Sequence, residues 1–196
     1  MADKEHITGK QKPGTVVSDY EQHRGLINDC LAGNRAAQKE LYNMYSPVLF
    51  GIIRRYIDDR NVCQEILSDT FLKIFTKLHL YSFNGAFEGW MRRVAINTIT
   101  DHVRKNMKHQ QTISTDATSI EVYVPDNAVS RLSYKELLSL VHELPVTQRA
   151  VFNLFVFDEM PHKDIAEQLN ITEPNSRWHL NDARRRLKEK INKLKQ

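Results

Sequence analysis

Between two short apolar-faced patterns near the end of the chain lies Gln168-Leu169-Asn170-Ile171-Thr172, inside a segment that runs from Leu144-Pro145 to Leu187-Lys188. A sharp turn between two helices needs a left-handed residue, and asparagine tolerates that conformation better than any residue except glycine. Ile171 fits the angle between the helices, Thr172 suits the N-cap, and Pro174 fits the first turn, where its missing N–H costs little. The helix so opened carries Asn175, Arg177, Trp178, His179 and Asn181 near its start, with Arg184, Arg185 and Arg186 further on. The pattern predicts a helix-turn-helix, a unit that lays its second helix in the DNA major groove. Arginine and asparagine match guanine and adenine edges, and the remaining cations suit phosphates. A run of charge alone would be read as a solvated helix face. Turn, cap and proline in register set this helix apart.

At 196 residues the chain has room for one large domain or two small ones. Seven glycines and six prolines favour helices over a turn-rich sheet protein. The net charge of +4 and a pI near 9.0 lean towards a polyanionic partner. The charge is also segregated. Arg184 to Gln196 is dense in Lys and Arg with Glu189 the lone acid, whereas Gln110 to Val129 has Asp116, Glu121 and Asp126 and no cation. Cys30 and Cys63 sit in helical patterns and build no disulfide framework, so packed thiols in a reducing compartment are expected. The histidines never meet cysteine at metal-ligand spacing, so no metal is expected. Met1 to Gly14 is polar, and no run of apolar residues is long enough to span a bilayer, so no membrane insertion and a cytoplasmic location are expected.

The apolar spacing predicts an all-α fold of two small helical domains joined by a flexible linker. Residues 1–18 read as a disordered leader, 19–109 as the first domain, 110–127 as an acidic linker and 128–196 as the second domain. Leu41, Tyr45, Val48, Ile52 and Tyr56 step by four and three along one helix, with Asn34 as its cap and Pro47 inside it. Leu67, Phe71, Ile74 and Leu78 mark the buried side of the next, whose other face shows Gln64, Glu65, Ser68, Asp69 and Lys73. The loop Tyr81-Ser82-Phe83-Asn84-Gly85 leads to a third long helix from about Ala86 to Asn106. The linker region is rich in Ser, Thr, Asp and Asn, lacks apolar periodicity, and is longer than connections inside a compact domain usually are.

In that third helix aromatic and basic residues interleave: Phe87, Trp90, Arg92 and Arg93, then Asn97, His102, Arg104 and Lys105. Stacking surfaces beside backbone-tracking cations are what single-stranded DNA needs. Tyr81, Phe83 and Asn84 could receive a base turned out of its stack. Phe87 and Trp90 are as readily explained by core packing, but Arg92 and Arg93 cannot both face inward, so part of this helix is a basic surface.

Taken in this order, Asn61 to Phe75, Phe87 to Lys105 and Glu143 to Leu187 resemble bacterial RNA polymerase sigma factors of the extracytoplasmic-function (ECF) group. The resemblance implies a transcription initiation factor that binds core RNA polymerase and directs it to promoter DNA. It implies polymerase docking through Gln64, Glu65, Ser68, Asp69 and Lys73, and recognition and melting of the −10 element by Tyr81, Phe83, Asn84, Arg92, Arg93, Asn97, His102, Arg104 and Lys105. It further implies −35 binding by Asn175, Arg177, Trp178, His179, Asn181, Arg184 and Arg185, and control by an anti-sigma factor. Asn170 stands where the family often has glycine, and Pro174-Asn175-Ser176-Arg177 departs from its usual helix start, so −35 base preference does not carry over. With no nucleophile, metal cluster or phosphate-cradling glycine loop in the sequence, no catalytic residue and no cofactor are expected; catalysis stays with the polymerase. Two other readings compete. A helix-turn-helix activator or repressor that does not replace the sigma subunit leaves the 87–105 helix without a role. A helical scaffold with incidental basic surfaces would show weak salt dependence in any DNA affinity.

Overall fold

The computed structural model describes residues 16–110 and 133–194, with side-chain placement from His23 to Met107 and from Ser133. All regular structure among these residues is helical: α1 (Val16–Leu31), α2 (Arg35–Tyr56), α3 (Arg60–Lys77), a 3₁₀ turn (Leu78–Leu80), α4 (Phe87–Gln110), α5 (Tyr134–His142), α6 (Val146–Val156), α7 (His162–Leu169) and α8 (Glu173–Lys193). Helix α1 starts three residues ahead of Asp19. Most of the expected leader and almost all of the expected linker lie outside the described residues.

The helix ends follow from local chemistry. The Asn34 side chain accepts from the Ala36 and Ala37 amides at 2.9 and 3.3 Å, and Asp59 does the same for Asn61 and Val62 at 2.7 and 3.1 Å. Ser133 and Glu136 close a capping box over α5. Pro47 lies within α2 without ending it.

In the first helical group, α2, α3 and α4 pack with Leu41, Ile53, Ile74, Met91 and Ile99 at 0% exposure. Each such side chain contributes about 1.5–3 kcal/mol relative to an exposed one. The buried hydroxyls of Thr70 and Thr100 donate to Ile66 O and Ile96 O one turn back, so they cost little inside the core. The buried face of α2 departs from the expected one at a single position. Val48 is exposed and Leu49 takes its place, because the inward stripe runs 41-45-49-52-56 rather than 41-45-48-52-56. In the second group, α8 lies across α6 and α7 over Val151, Leu154, Ile165, Leu169, Leu180 and Ala183. Its apolar stripe leaves the core towards the end, Leu194 being exposed. The two groups are not separate bodies: Ala150, Val151, Leu154, Ile165, Leu169 and Leu180 belong to the same apolar cluster as α2, α3 and α4.

Candidate nucleic-acid interface

The turn before α8 has the geometry its residues predict. Asn170 sits at φ 55°, ψ 48°, in the left-handed region, and the Ile171 amide donates to Ala166 O at 3.0 Å, so the end of α7 is closed. Ile171 packs on the core, the Thr172 hydroxyl accepts from the Asn175 amide at 3.3 Å, and Pro174 lies in the first turn. On α8, Asn175, Arg177 and Arg185 are exposed, while Trp178, Asn181 and Arg184 are half-buried. Arg177 pairs with Glu173 at 2.5 Å, and the Arg184 guanidinium lies 5.5 Å from the Phe155 ring centre.

His179 is turned inward. Its Nδ1 is buried without a hydrogen-bond partner, its ring meets Trp178 edge-on at 4.8 Å, and burial lowers its pKa against the opposing pull of Asp182. Sequence reasoning passed over Asp182, which takes Arg186 Nε at 2.9 Å, the Arg185 fork and the Gln148 amide at 2.6 Å. The signal was available: an acid at i−3 and i−4 to two arginines.

In the first group, α4 divides as the sequence predicts. Met91, Ala95, Ile96, Ile99 and Val103 face the core, and Arg93, Asn97 and Lys105 face out. Trp90 stacks on Phe87 with the ring centres 5.7 Å apart, half-buried. Lys73 of α3 and Arg104 share the Asp101 carboxylate, the lysine at 3.1 Å, and His102 accepts from the Asn106 amide at 3.0 Å. Arg92 and Asn97 are engaged by the second group: Arg92 by Asp158, and Asn97 by Gln168 at 2.7 Å.

The loop before α4 encloses a cavity of about 310 Å³, mostly apolar, between Tyr81, Phe83, Gly85 and Phe87 on one side and His23, Arg24 and Ile27 of α1 on the other. Phe83 is held at φ 56°, a strained conformation for a phenylalanine, with Arg24 at 5.2 Å from its ring centre. Tyr81 is buried and its hydroxyl donates to Gly85 O at 2.7 Å, so it forms a wall rather than a free stacking surface. Asn84 is exposed and does not line the cavity. The contribution of α1 had no sequence signal, since His23 and Arg24 are 60 residues from the loop they complete.

On α3, Gln64, Glu65, Ser68 and Asp69 form an exposed, acidic face, with Lys73 half-buried at its edge. Leu72, 67% exposed, stands among them as an apolar centre that the polar pattern concealed.

Residues 41–109 match the family model for sigma-70 region 2, and residues 134–187 match that for sigma-70 region 4. The chain is 29% identical over 156 residues to the ECF RNA polymerase sigma factor SigM of Bacillus subtilis, covering 79% of this chain and 94% of that one. It is 24% identical over 157 residues to the RNA polymerase sigma-H factor of Pseudomonas aeruginosa, covering 74% and 81%. Among solved structures it is similar to the sigma factor RpoE of Bartonella quintana, crystallised with the anti-sigma factor NepR, at a TM-score of 0.49 and 16% identity over 81% of this chain and 98% of that one.

Proposed function

The chain belongs to the ECF group of sigma-70-type RNA polymerase sigma factors, and on that premise we propose how its residues bind core polymerase and direct it to promoters. The observation that carries the reading is the pairing, on one chain, of a capped recognition helix with a second, unrelated DNA face. That face is the outer side of α4 beside the Phe83 cavity.

Residues 19–109 form the domain that binds polymerase and the −10 element, 128–196 the domain that binds the −35 element, and 110–127 the link between them. The acidic face of α3, centred on Leu72, docks on core polymerase through Gln64, Glu65, Ser68, Asp69 and Lys73. Arg92, Arg93, Asn97, Arg104 and Lys105 track the −10 backbone, with His102 beside them. A base turned out of the melting duplex enters the cavity under Phe83, against Tyr81, with Asn84 at the rim; its apolar lining suits a planar ring removed from water. In the second domain Asn175, Arg177 and Asn181 address the −35 major groove and Arg184 and Arg185 its phosphates, while Trp178 and the inward His179 hold the helix in its seat. Bond formation stays with the polymerase. The protein works in the cytoplasm and is held in reserve by an anti-sigma factor. No helix among the described residues is long and apolar enough to cross a membrane. A helix-turn-helix regulator acting beside another sigma subunit is not favoured, since it leaves the region 2 match and the α4 face unused.

Transcription in vitro with purified core polymerase on fragmented genomic DNA of the source organism tests the reading. Discrete start sites that depend on the added protein are expected. Their absence, together with specific duplex binding by the protein alone, would overturn it.

A further inference from the structure

Every α-helix ends in four carbonyls with no partner inside the helix, at the negative end of its dipole. On α2 the first of them, Ile53 O, is taken by the Ile57 amide at 3.0 Å. The other three are taken by the second helical group. His142 of α5 donates through Nε2 to Arg54 O at 2.6 Å. Asn153 and Arg149 of α6 donate to Arg55 O and Tyr56 O at 3.0 and 3.3 Å. Asn153 is fully buried. Three consecutive carbonyls matched one for one is a built socket, not a casual contact between two domains.

Beside the socket stands Asp158, whose side chain is only 5% exposed. Its Oδ1 accepts from both Nε and Nη2 of Arg92, at 3.1 and 2.5 Å, and Arg92 Nη2 also reaches Phe157 O at 2.6 Å. The Tyr56 hydroxyl donates to the other carboxylate oxygen, and Arg55 lies 3.8 Å away. At the far edge Gln168 Nε2 spans Asn97 Oδ1 and Thr100 Oγ1, at 2.7 and 3.0 Å. Arginine grips a carboxylate and a phosphate with the same planar fork.

We propose that the chain without polymerase is closed and self-masked, with Asp158 occupying the anion seat of Arg92 that a −10 backbone phosphate would take, so that closure and −10 strand binding exclude one another. This rests on the assignment of Arg92 and Asn97 to −10 DNA. The masking is one-sided: Arg177, Arg185 and Arg186 of α8 remain exposed in the closed form.

The test uses the full chain with fluorophores at Lys39 and Lys163, both exposed and on different helical groups, and a short random-sequence single-stranded oligodeoxynucleotide as probe. Wild type should show high energy transfer, and saturating probe should lower it. Asp158→Asn, which keeps the shape and removes the charge, should lower transfer without DNA and tighten probe binding by about tenfold, the factor that one charge-assisted hydrogen bond commands. Gln168→Ala removes hydrogen bonds at the opposite edge and should move both readouts the same way by a smaller factor. Low transfer in the free wild type would overturn the proposal, as would probe that binds without changing transfer. So would two folded variants that move neither readout. Transfer measured without DNA reports closure alone, whereas absence of polymerase-dependent start sites would remove the promoter reading and leave that measurement standing.

Discussion

On α8 the carboxylate of Asp182 joins the Gln148 amide of α6 to Arg185 and Arg186, fixing the recognition helix to its support while holding two of its cations. Burial pushes its pKa up, but hydrogen bonds and charge from Arg186 and Arg185 outweigh that and leave it below the ordinary 3.8. Asp182→Ala strands a buried Gln148 and should cost about 1–3 kcal/mol in urea denaturation. The histidines of the same group act earlier on acidification. Burial lowers both His162 and His179 from the ordinary 6.5, so the unfolded chain binds protons more readily than the folded one. Their stabilisation is present above about pH 6.5 and is lost as pH falls through the folded values. The melting temperature should therefore drop as pH falls below about 6.5, and the drop should shrink in a His162→Gln, His179→Gln double variant; an equal drop in both proteins would refute the assignment. The role of Asp182 is legible in the sequence as an acid three and four residues before two arginines, whereas His179 reads there as one more DNA-facing group. Inward and outward differ by a single step of 100° around a helix.

Among the elements, the turn between α7 and α8 was the most legible, because each of its residues answers a local demand. Asn170 supplies the left-handed backbone, Ile171 the plug and Thr172 the cap. Asn170→Val places a β-branched residue at φ 55° and should cost about 1–2 kcal/mol of stability, while Asn170→Gly should be neutral or better by the same denaturation assay. The loop before α4 was half legible. Its aromatic content pointed to a base, but the cavity exists only where α1 closes it, and Phe83 is held at a φ that its residue type does not advertise. If the cavity takes a base, Phe83→Ala should reduce promoter opening, read by permanganate footprinting, with little effect on −35 duplex binding. Equal loss of both would argue for a general folding defect.

Across the whole molecule, the two helical groups were readable and their union was not. Helical periodicity reports which face of an element is buried, never against what. The closing contacts depend on isolated polar residues such as Asp158, whose partners Arg92 and Tyr56 are 66 and 102 positions away. The closure we propose would make the two faces assigned to DNA unequal. Asp158→Asn should therefore leave −35 duplex affinity of the free protein unchanged while single-strand affinity rises, both measured by fluorescence anisotropy at one salt concentration. A parallel rise in the two would mean that closure hides α8 as well.

Arg92 also places a constraint on how such a protein can diverge. The same guanidinium that we assign to promoter DNA is clasped by Asp158 in this structure. A substitution there that retunes the set of genes served would, in the same stroke, reset how much of the protein stands idle between signals. Lineages that drift towards new promoters at this position should carry a compensating change at Asp158 or Phe157, and a gain in reach without one would be accompanied by leaky expression.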